Sequence, residues 1–325
     1  VGKNPTQNYI KKGAWKEAIA QKGTVKSVLL CPRTEPSPSP TTDWKEGDTA
    51  LLIHVYGGIG GKKAEAATQG PIYFGHFAYG KAQVVREPLA DELMFDLEYY
   101  QVYTHNSEGL IAGKLAWNRY LGDRQFGWLG TRPIVDLLVK WDVFTQPYNL
   151  PTTQYSALDI LLDQLETMVA RYRIGDGTGG TYVGPAHNCS QDSNQAFYSA
   201  IQRVDNALKA DPELRNWILQ APVQAQRLYQ LRKLDTTIRH TLLPFGSARS
   251  DWEHGENNLG ISPEQNPWEQ LWIGIRSWRT LLPRLASQAI ATQFLKQGAS
   301  IWVLRTSQIG GDDPDIAPVA PTRIG

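Results

Sequence analysis

A chain of 325 residues, 41% of them hydrophobic, is long enough to bury one large core or two closely packed lobes. Its formal net charge of +1 excludes a global electrostatic field for nucleic acid or an anionic membrane. Two cysteines, Cys31 and Cys189, exclude a disulfide-dense framework and a zinc site built on paired CxxC motifs, although one disulfide is arithmetically allowed.

The first residues are polar, without the apolar core of a signal peptide. Val1 is not an initiator Met, so a processed form or an excised piece is expected, with no compartment indicated. No run approaches the ~18 apolar residues of a membrane helix. The chain is rich in aromatics, with 11 Trp and 14 Tyr, which fill cores but also favour interfaces.

In chain order, Trp15–Lys22 reads as a short helix and Val25–Leu30 as a strand. Pro36–Asp43 is a Pro- and Ser-rich loop. Ala50–Tyr56 is a buried strand that ends in glycines. Tyr73–Tyr79 and Ala82–Val85 read as strands around Gly80. Leu93–Thr104 alternates aromatic and polar residues, as a long strand does.

The rest reads as helical. Ser156 caps a helix whose apolar face is Leu158, Leu161, Leu162, Leu165, Met168 and Val169. A second helix starts near Asn188, and Asp211-Pro212 opens a third. Val223–Thr241 is a fourth, Gly246–Pro267 a polar loop, and Trp268–Leu282 and Pro283–Gln297 two more helices. Ile301–Arg305 reads as a late strand, followed by an extended tail. The expected fold is α+β: an antiparallel sheet in the N-terminal half packed against a mostly helical C-terminal half, as one compact body. Its parts would be an N-terminal region 1–49, a sheet-rich lobe 50–150, a helical lobe 151–309 and a tail 310–325.

Two segments can carry chemistry. In Gly184-Pro-Ala-His-Asn-Cys-Ser-Gln-Asp-Ser-Asn-Gln-Ala-Phe197, Asn188 can cap a helix and Gln191 can reach back to it. Cys189 then occupies the first turn, where unsatisfied N–H groups and the helix dipole favour a thiolate and can support an oxyanion; Asn188 and Ser190 support that helix start. The competing reading is a buried, inert cysteine, a common fate of free thiols. In Gly75-His-Phe-Ala-Tyr-Gly80, strand alternation puts His76 and Ala78 on one face. A core histidine satisfied by one hydrogen bond is the competing reading there.

Taken together, a strand histidine in a G-H-x-x-Y-G setting and a later N-C at a helix start resemble the circularly permuted papain-like hydrolases, relatives of NlpC-type peptidases and lecithin:retinol acyltransferase. The resemblance covers roughly residues 50 to 205. It implies a thiol hydrolase or acyltransferase acting on an amide or ester, with Cys189 as nucleophile and His76 as base. The residues after Cys189 depart from the acyltransferase pattern. The third polar residue is open among Glu87, Asp96 and His105, and His187 reads as a capping or surface residue before it reads as a substitute base.

Thr181-Tyr-Val-Gly-Pro-Ala, the run from Cys189 to Gln195, and Ala299-Ser-Ile-Trp-Val-Leu-Arg-Thr are also similar to soluble regions of cyanobacterial predicted CAAX-type proteases. This second resemblance implies a soluble companion part of a membrane-associated protein, without the proteolytic domain. It fits the alternative function, a non-catalytic binding or interaction module.

Other signals point to structure. Arg227, Arg232, Lys233 and Arg239, interleaved with Gln, read as a solvated helix face. Gly57–Lys63 fails the P-loop pattern. Asp312, Asp313 and Asp315 lack an EF-hand loop, and His254 with Glu253 and Glu256 lacks HExxH spacing, so no metal and no cofactor are assigned. The expected partners are a peptide or acyl substrate, or a protein.

Overall fold

A computed structural model describes residues 24–32, 43–57, 75–106, 109–120, 134–149, 154–174, 184–249, 259–261, 266–307 and 324. The expected helix at Trp15–Lys22, most of the Pro36–Asp43 loop, the glycine turn beyond Gly57, the His254 group and the Asp312–Asp315 cluster lie outside them.

The chain is α+β and divides into two units, residues 1–140 with 282–325, and residues 141–281. The expected helical lobe 151–309 is therefore shared between them, because its last helix and strand belong with the sheet.

The first unit is built on a fully antiparallel seven-stranded sheet in the order β1-β9-β6-β2-β3-β4-β5. Its strands are β1 (Thr24–Leu30), β2 (Thr49–Gly57), β3 (Gly75–Glu87), β4 (Glu92–Asn106), β5 (Gly109–Ala116), β6 (Ile134–Lys140) and β9 (Ser300–Ser307). The late strand β9 is the least local element. It enters between β1 and β6, and Val303 faces Val28 on one side and Leu137 on the other. Its apolar run Ile301–Leu304 is buried, as expected for an interior strand. The short helix α1 (Trp117–Tyr120) follows β5.

β3 is a single strand and runs through Gly80, where the sequence suggested two strands. A Cβ at Gly80 would lie 2.0 Å from the Glu98 carbonyl oxygen. The glycine thus permits a close strand approach and does not break the strand. Alternation then sorts the sheet into two faces. Leu52, Ala82, Val84, Phe95, Leu97, Tyr99, Ile134, Leu138, Trp302 and Leu304 form one apolar cluster, with Trp44 and Tyr120 packed into it. The helix that ends the unit, residues Pro283–Lys296, packs on β2, β3, β6 and β9 with Ala286, Ile290, Ala291 and Phe294 buried.

The second unit is helical. It opens with α2 (Asp142–Thr145) and a two-stranded ribbon, β7 (Tyr148–Asn149) and β8 (Gln154–Tyr155). α3 (Ala157–Ile174) buries the expected leucine face, and the Ser156 hydroxyl accepts the Asp159 N–H at 3.0 Å. α4 (Cys189–Ala210), α5 (Pro212–Gln220) and α6 (Pro222–Leu242) follow. The stretch expected as one helix from Trp268 is two: α7 (Pro267–Arg276) and α8 (Trp278–Leu281), broken at Ser277. The helix Pro283–Lys296 of the sheet unit is α9. Among the described residues no helix is long and apolar enough to cross a membrane.

Candidate active site

His76 lies on β3 beside Tyr56 of β2 and is buried, 4% exposed. Its Nε2 is 2.5 Å from Oε1 of Gln101 on β4. The β3–β4 ladder ends at Tyr79–Tyr100, so Gln101 shares a sheet face with Ala78 and His76 and reaches the ring diagonally. A register shift in the β4–β5 ladder begins directly after Gln101. Such irregularities re-aim side chains and recur beside functional sites. With the amide oxygen accepting, Nε2 carries the proton and Nδ1 carries the lone pair.

The partner of this nitrogen is the Gln101 amide, which was not among the three expected orienters. The Glu87 carboxylate caps the β3–β4 turn, accepting the N–H groups of Leu89 at 2.9 Å and Ala90 at 2.5 Å. Asp96 is exposed on β4 opposite Gln83. His105 pairs with Leu110 farther along β4, and its side chain is outside the described set.

Beside His76 is a second imidazole that the sequence reading did not mark. His54 of β2 is fully buried, with its ring centroid 6.4 Å from that of His76. His54 stands opposite Asp136 of β6, and its Nδ1 is 2.6 Å from Oδ1 of that carboxylate. Tyr99 donates its hydroxyl to Asp136 Oδ2 at 2.8 Å, and the Tyr120 hydroxyl is 3.1 Å from His54 Nε2. Burial first, and then the Asp136 charge, push the Tyr99 phenol well above its usual range, so it remains a donor. The alternation of a buried strand was the only local signal for His54. Nothing local announced that Asp136, 82 positions away, would face it.

The second unit carries Cys189 as the first residue of α4. Asn188 is extended (φ −154°, ψ 176°), and its Oδ1 accepts the N–H groups of Ser190 at 3.0 Å and Gln191 at 3.1 Å. Its Nδ2 donates to Gln191 Oε1 at 2.7 Å, so the third residue reaches back to the side chain of the cap, where a capping box would engage its backbone N–H. The Ser190 N–H is thereby engaged by the cap.

The polar run after Cys189 is wholly buried from Ser190 to Gln195, although its composition reads as surface. Each long side chain of the run holds a loop. Gln191 donates to Pro185 O and to Ser277 Oγ, and Gln195 donates to Phe245 O and Ser247 O while accepting from Arg249 N. Asp192 Oδ2 is 3.0 Å from His187 Nε2 and 3.2 Å from Arg249 Nη1. His187 is thus a buried partner of Asp192 rather than a surface residue.

Cys189 is itself buried, at 8% exposure, and both cysteines are thiols. The Cys31 thiol is pushed up by burial and by the Asp43 carboxylate, which makes it a poor nucleophile at neutral pH. Among the described residues no group of three His, Cys, Asp or Glu could hold a metal ion.

Compared with protein-family models, curated proteins and solved structures, the chain matches none.

Proposed function

We propose that the chain is a thiol-dependent hydrolase or acyltransferase with Cys189 as nucleophile and His76 as general base. The observation that carries the reading is the His76–Gln101 bond. An amide oxygen on Nε2 leaves Nδ1 basic, which is the role the amide plays in the Cys-His-Asn sets of papain-like enzymes. Cys189 contributes a first-turn position on a 22-residue capped helix, where the dipole favours a thiolate and a developing oxyanion.

In this reading the imidazole takes the thiol proton as sulfur attacks the carbonyl carbon of an amide or ester. The imidazolium then returns that proton to the departing amine or alcohol, leaving a thioester on Cys189. Water, or a second acceptor, attacks the thioester with the same imidazole as base and regenerates the thiol. The peptide or acyl class of the substrate follows from this chemistry alone. His76 and Cys189 belong to different units of the chain, and their joint action is what the experiment decides.

The test is alkylation of the native protein by iodoacetamide across pH, with modification mapped by mass spectrometry. Cys189 is expected to react well below the ordinary thiol range of about pH 8.5, while Cys31 reacts only above it. His76→Ala should return Cys189 to the ordinary range and His187→Ala should not; the reverse pattern would make His187 the base. A Cys189 that stays silent at every pH at which the protein is folded would sink the reading in favour of a non-catalytic module.

A further inference from the structure

α7 and α8 present an apolar face to solvent. Trp268 is 77% exposed, Trp272 60%, Ile275 51%, Trp278 49% and Leu271 44%. At about 100° per residue the four on α7 fall within an arc of roughly 100°, and Trp278 follows at the start of α8. The opposite arc is fixed to the body of the unit. Ile273, Gly274, Ser277 and Thr280 are buried, Ser277 Oγ receives the Gln191 amide, and a Cβ at Gly274 would lie 2.8 Å from the Pro185 carbonyl. The outward arc is thus held rigidly, and a rotation of the helix cannot hide it. Elsewhere among the described residues, Leu89 and Ile174 stand apart, while Leu219, Val223 and Tyr229 lie along α5 and α6 with no tryptophan among them.

We infer that this face docks peripherally on an anionic lipid surface, with the three indoles at the level of the headgroups. Three observations select lipid over another occupant. The first is composition: three of the five side chains are Trp, whose apolar body and single N–H suit the membrane–water boundary. The second is charge. Arg276 borders the arc, and Arg279 of α8 holds its guanidinium 5.4 Å from the Trp278 ring centre, against Glu269, the one acid among the described residues of the two helices. That sign complements anionic headgroups, on a chain whose net charge of +1 offers no wider attraction. The third is area. The exposed parts of the three indoles amount to roughly 300–450 Å². A self-paired interface needs about 800 Å² per partner, with matched shape, whereas a lipid surface imposes no shape requirement. The inference stands on exposure and charge, and is independent of the chemistry proposed for Cys189.

The test is flotation of the full chain with vesicles of phosphatidylcholine alone and of phosphatidylcholine mixed with phosphatidylglycerol. The protein should float with both and bind the anionic vesicles more tightly. Trp268→Ser/Trp272→Ser/Trp278→Ser should lose at least about tenfold in binding to either vesicle, because the inserted apolar surface is gone. Arg276→Gln should lose up to about fivefold on anionic vesicles only, the share of one cation near a charged surface. All substituted side chains are exposed, and an unchanged circular dichroism spectrum and melting temperature would certify each variant as folded. Should the triple variant miss that standard, Trp272→Ser alone is expected to give a smaller loss in the same direction. Wild-type protein that floats with neither vesicle overturns the inference. So does an unaltered triple variant, or a concentration-dependent dimer in sedimentation that the triple variant abolishes while vesicles remain unbound.

Discussion

His76 Nε2 lies 2.5 Å from Gln101 Oε1, and in the proposed chemistry this bond sets which imidazole nitrogen serves as the base. Replacing Gln101 by Ala frees the ring to adopt either tautomer. We expect alkylation of Cys189 at neutral pH to slow by about tenfold or more, a part of the 10²–10⁴ that general-base catalysis contributes. Gln101→Glu keeps the acceptor but adds a negative charge, which raises the imidazole pKa and moves the alkylation profile along the pH axis. An unchanged rate and profile in both variants would separate Gln101 from the chemistry.

Deeper in the same face, Asp136 accepts from Tyr99 and pairs with His54, all three fully or nearly fully buried. Asp136→Ala strands two buried polar groups and should cost about 3–5 kcal/mol in urea unfolding. His54→Phe combined with Asp136→Leu should cost less than the two single changes together, because the pair is removed with its own desolvation penalty. Additive costs would show that His54 and Asp136 do not act as a unit.

These two cases show what the sequence made legible. His76, Cys189, Asn188 and the leucine face of α3 rest on local rules: a two-residue alternation, a capping residue, a 3.6-residue period. The α+β class, β1 to β4, β9 and the long helices followed from the same rules, whereas β5, β6 and the short elements up to Tyr155 were not read individually. His54 and Asp136 gave no such signal, because their pairing depends on a sheet order in which β6 sits between β2 and β9, and Gln101 meets His76 only through the register of β3 on β4. The burial of the polar run Ser190–Gln195 was not legible for a related reason. Hydropathy reports composition, whereas burial here follows from hydrogen bonds to loops 50 or more positions away, as for Gln195 with Phe245 and Ser247.

Asn188 should behave as a local element whatever Cys189 does. Asn188→Ala removes the acceptor of two first-turn N–H groups and the donor to Gln191. The expected loss is about 1 kcal/mol of stability, within the 0.5–2 kcal/mol range of N-caps, while Asn188→Asp should retain most of it. Thermal or urea unfolding that is indifferent to both changes would contradict the capping geometry.

Gly246 is the pivot that lays the loop after α6 onto the start of α4. Its φ of +74° is left-handed, and a Cβ there would sit 2.4 Å from the Ala186 carbonyl oxygen. Gly246→Ala should therefore cost more than about 2 kcal/mol, since the left-handed conformation alone costs 1–2 kcal/mol for a residue with a side chain. Gly47, also left-handed (φ +89°) but with nothing within 4 Å of a Cβ, is the control, and its alanine variant should lose only the conformational share. Equal losses at the two positions would refute the role of close packing at Gly246.

Tyr198 sets an alkaline limit on the helical unit. Its hydroxyl accepts the Arg239 Nε–H at 3.1 Å, and its ring packs on Phe245. Burial, followed by the Asp235 charge, pushes the phenol up to about 12 from its ordinary value of 10. Below pH 10 the phenol is protonated in both the folded and the unfolded chain, so the group contributes no pH dependence. Between about pH 10 and 12 the unfolded chain releases the proton and the folded chain keeps it. The unfolded state therefore binds fewer protons, and stability falls as pH rises through that window. Tyr198→Phe removes the titrating group at the cost of the hydrogen bond from Arg239. The variant should be less stable than the wild type at neutral pH, with the gap in melting temperature narrowing from pH 10 upward. The buried phenols Tyr79, Tyr99 and Tyr148 are also raised, so both proteins still lose stability in alkali, but with different slopes. Melting curves that stay parallel across the window would show that Tyr198 ionises equally in both states.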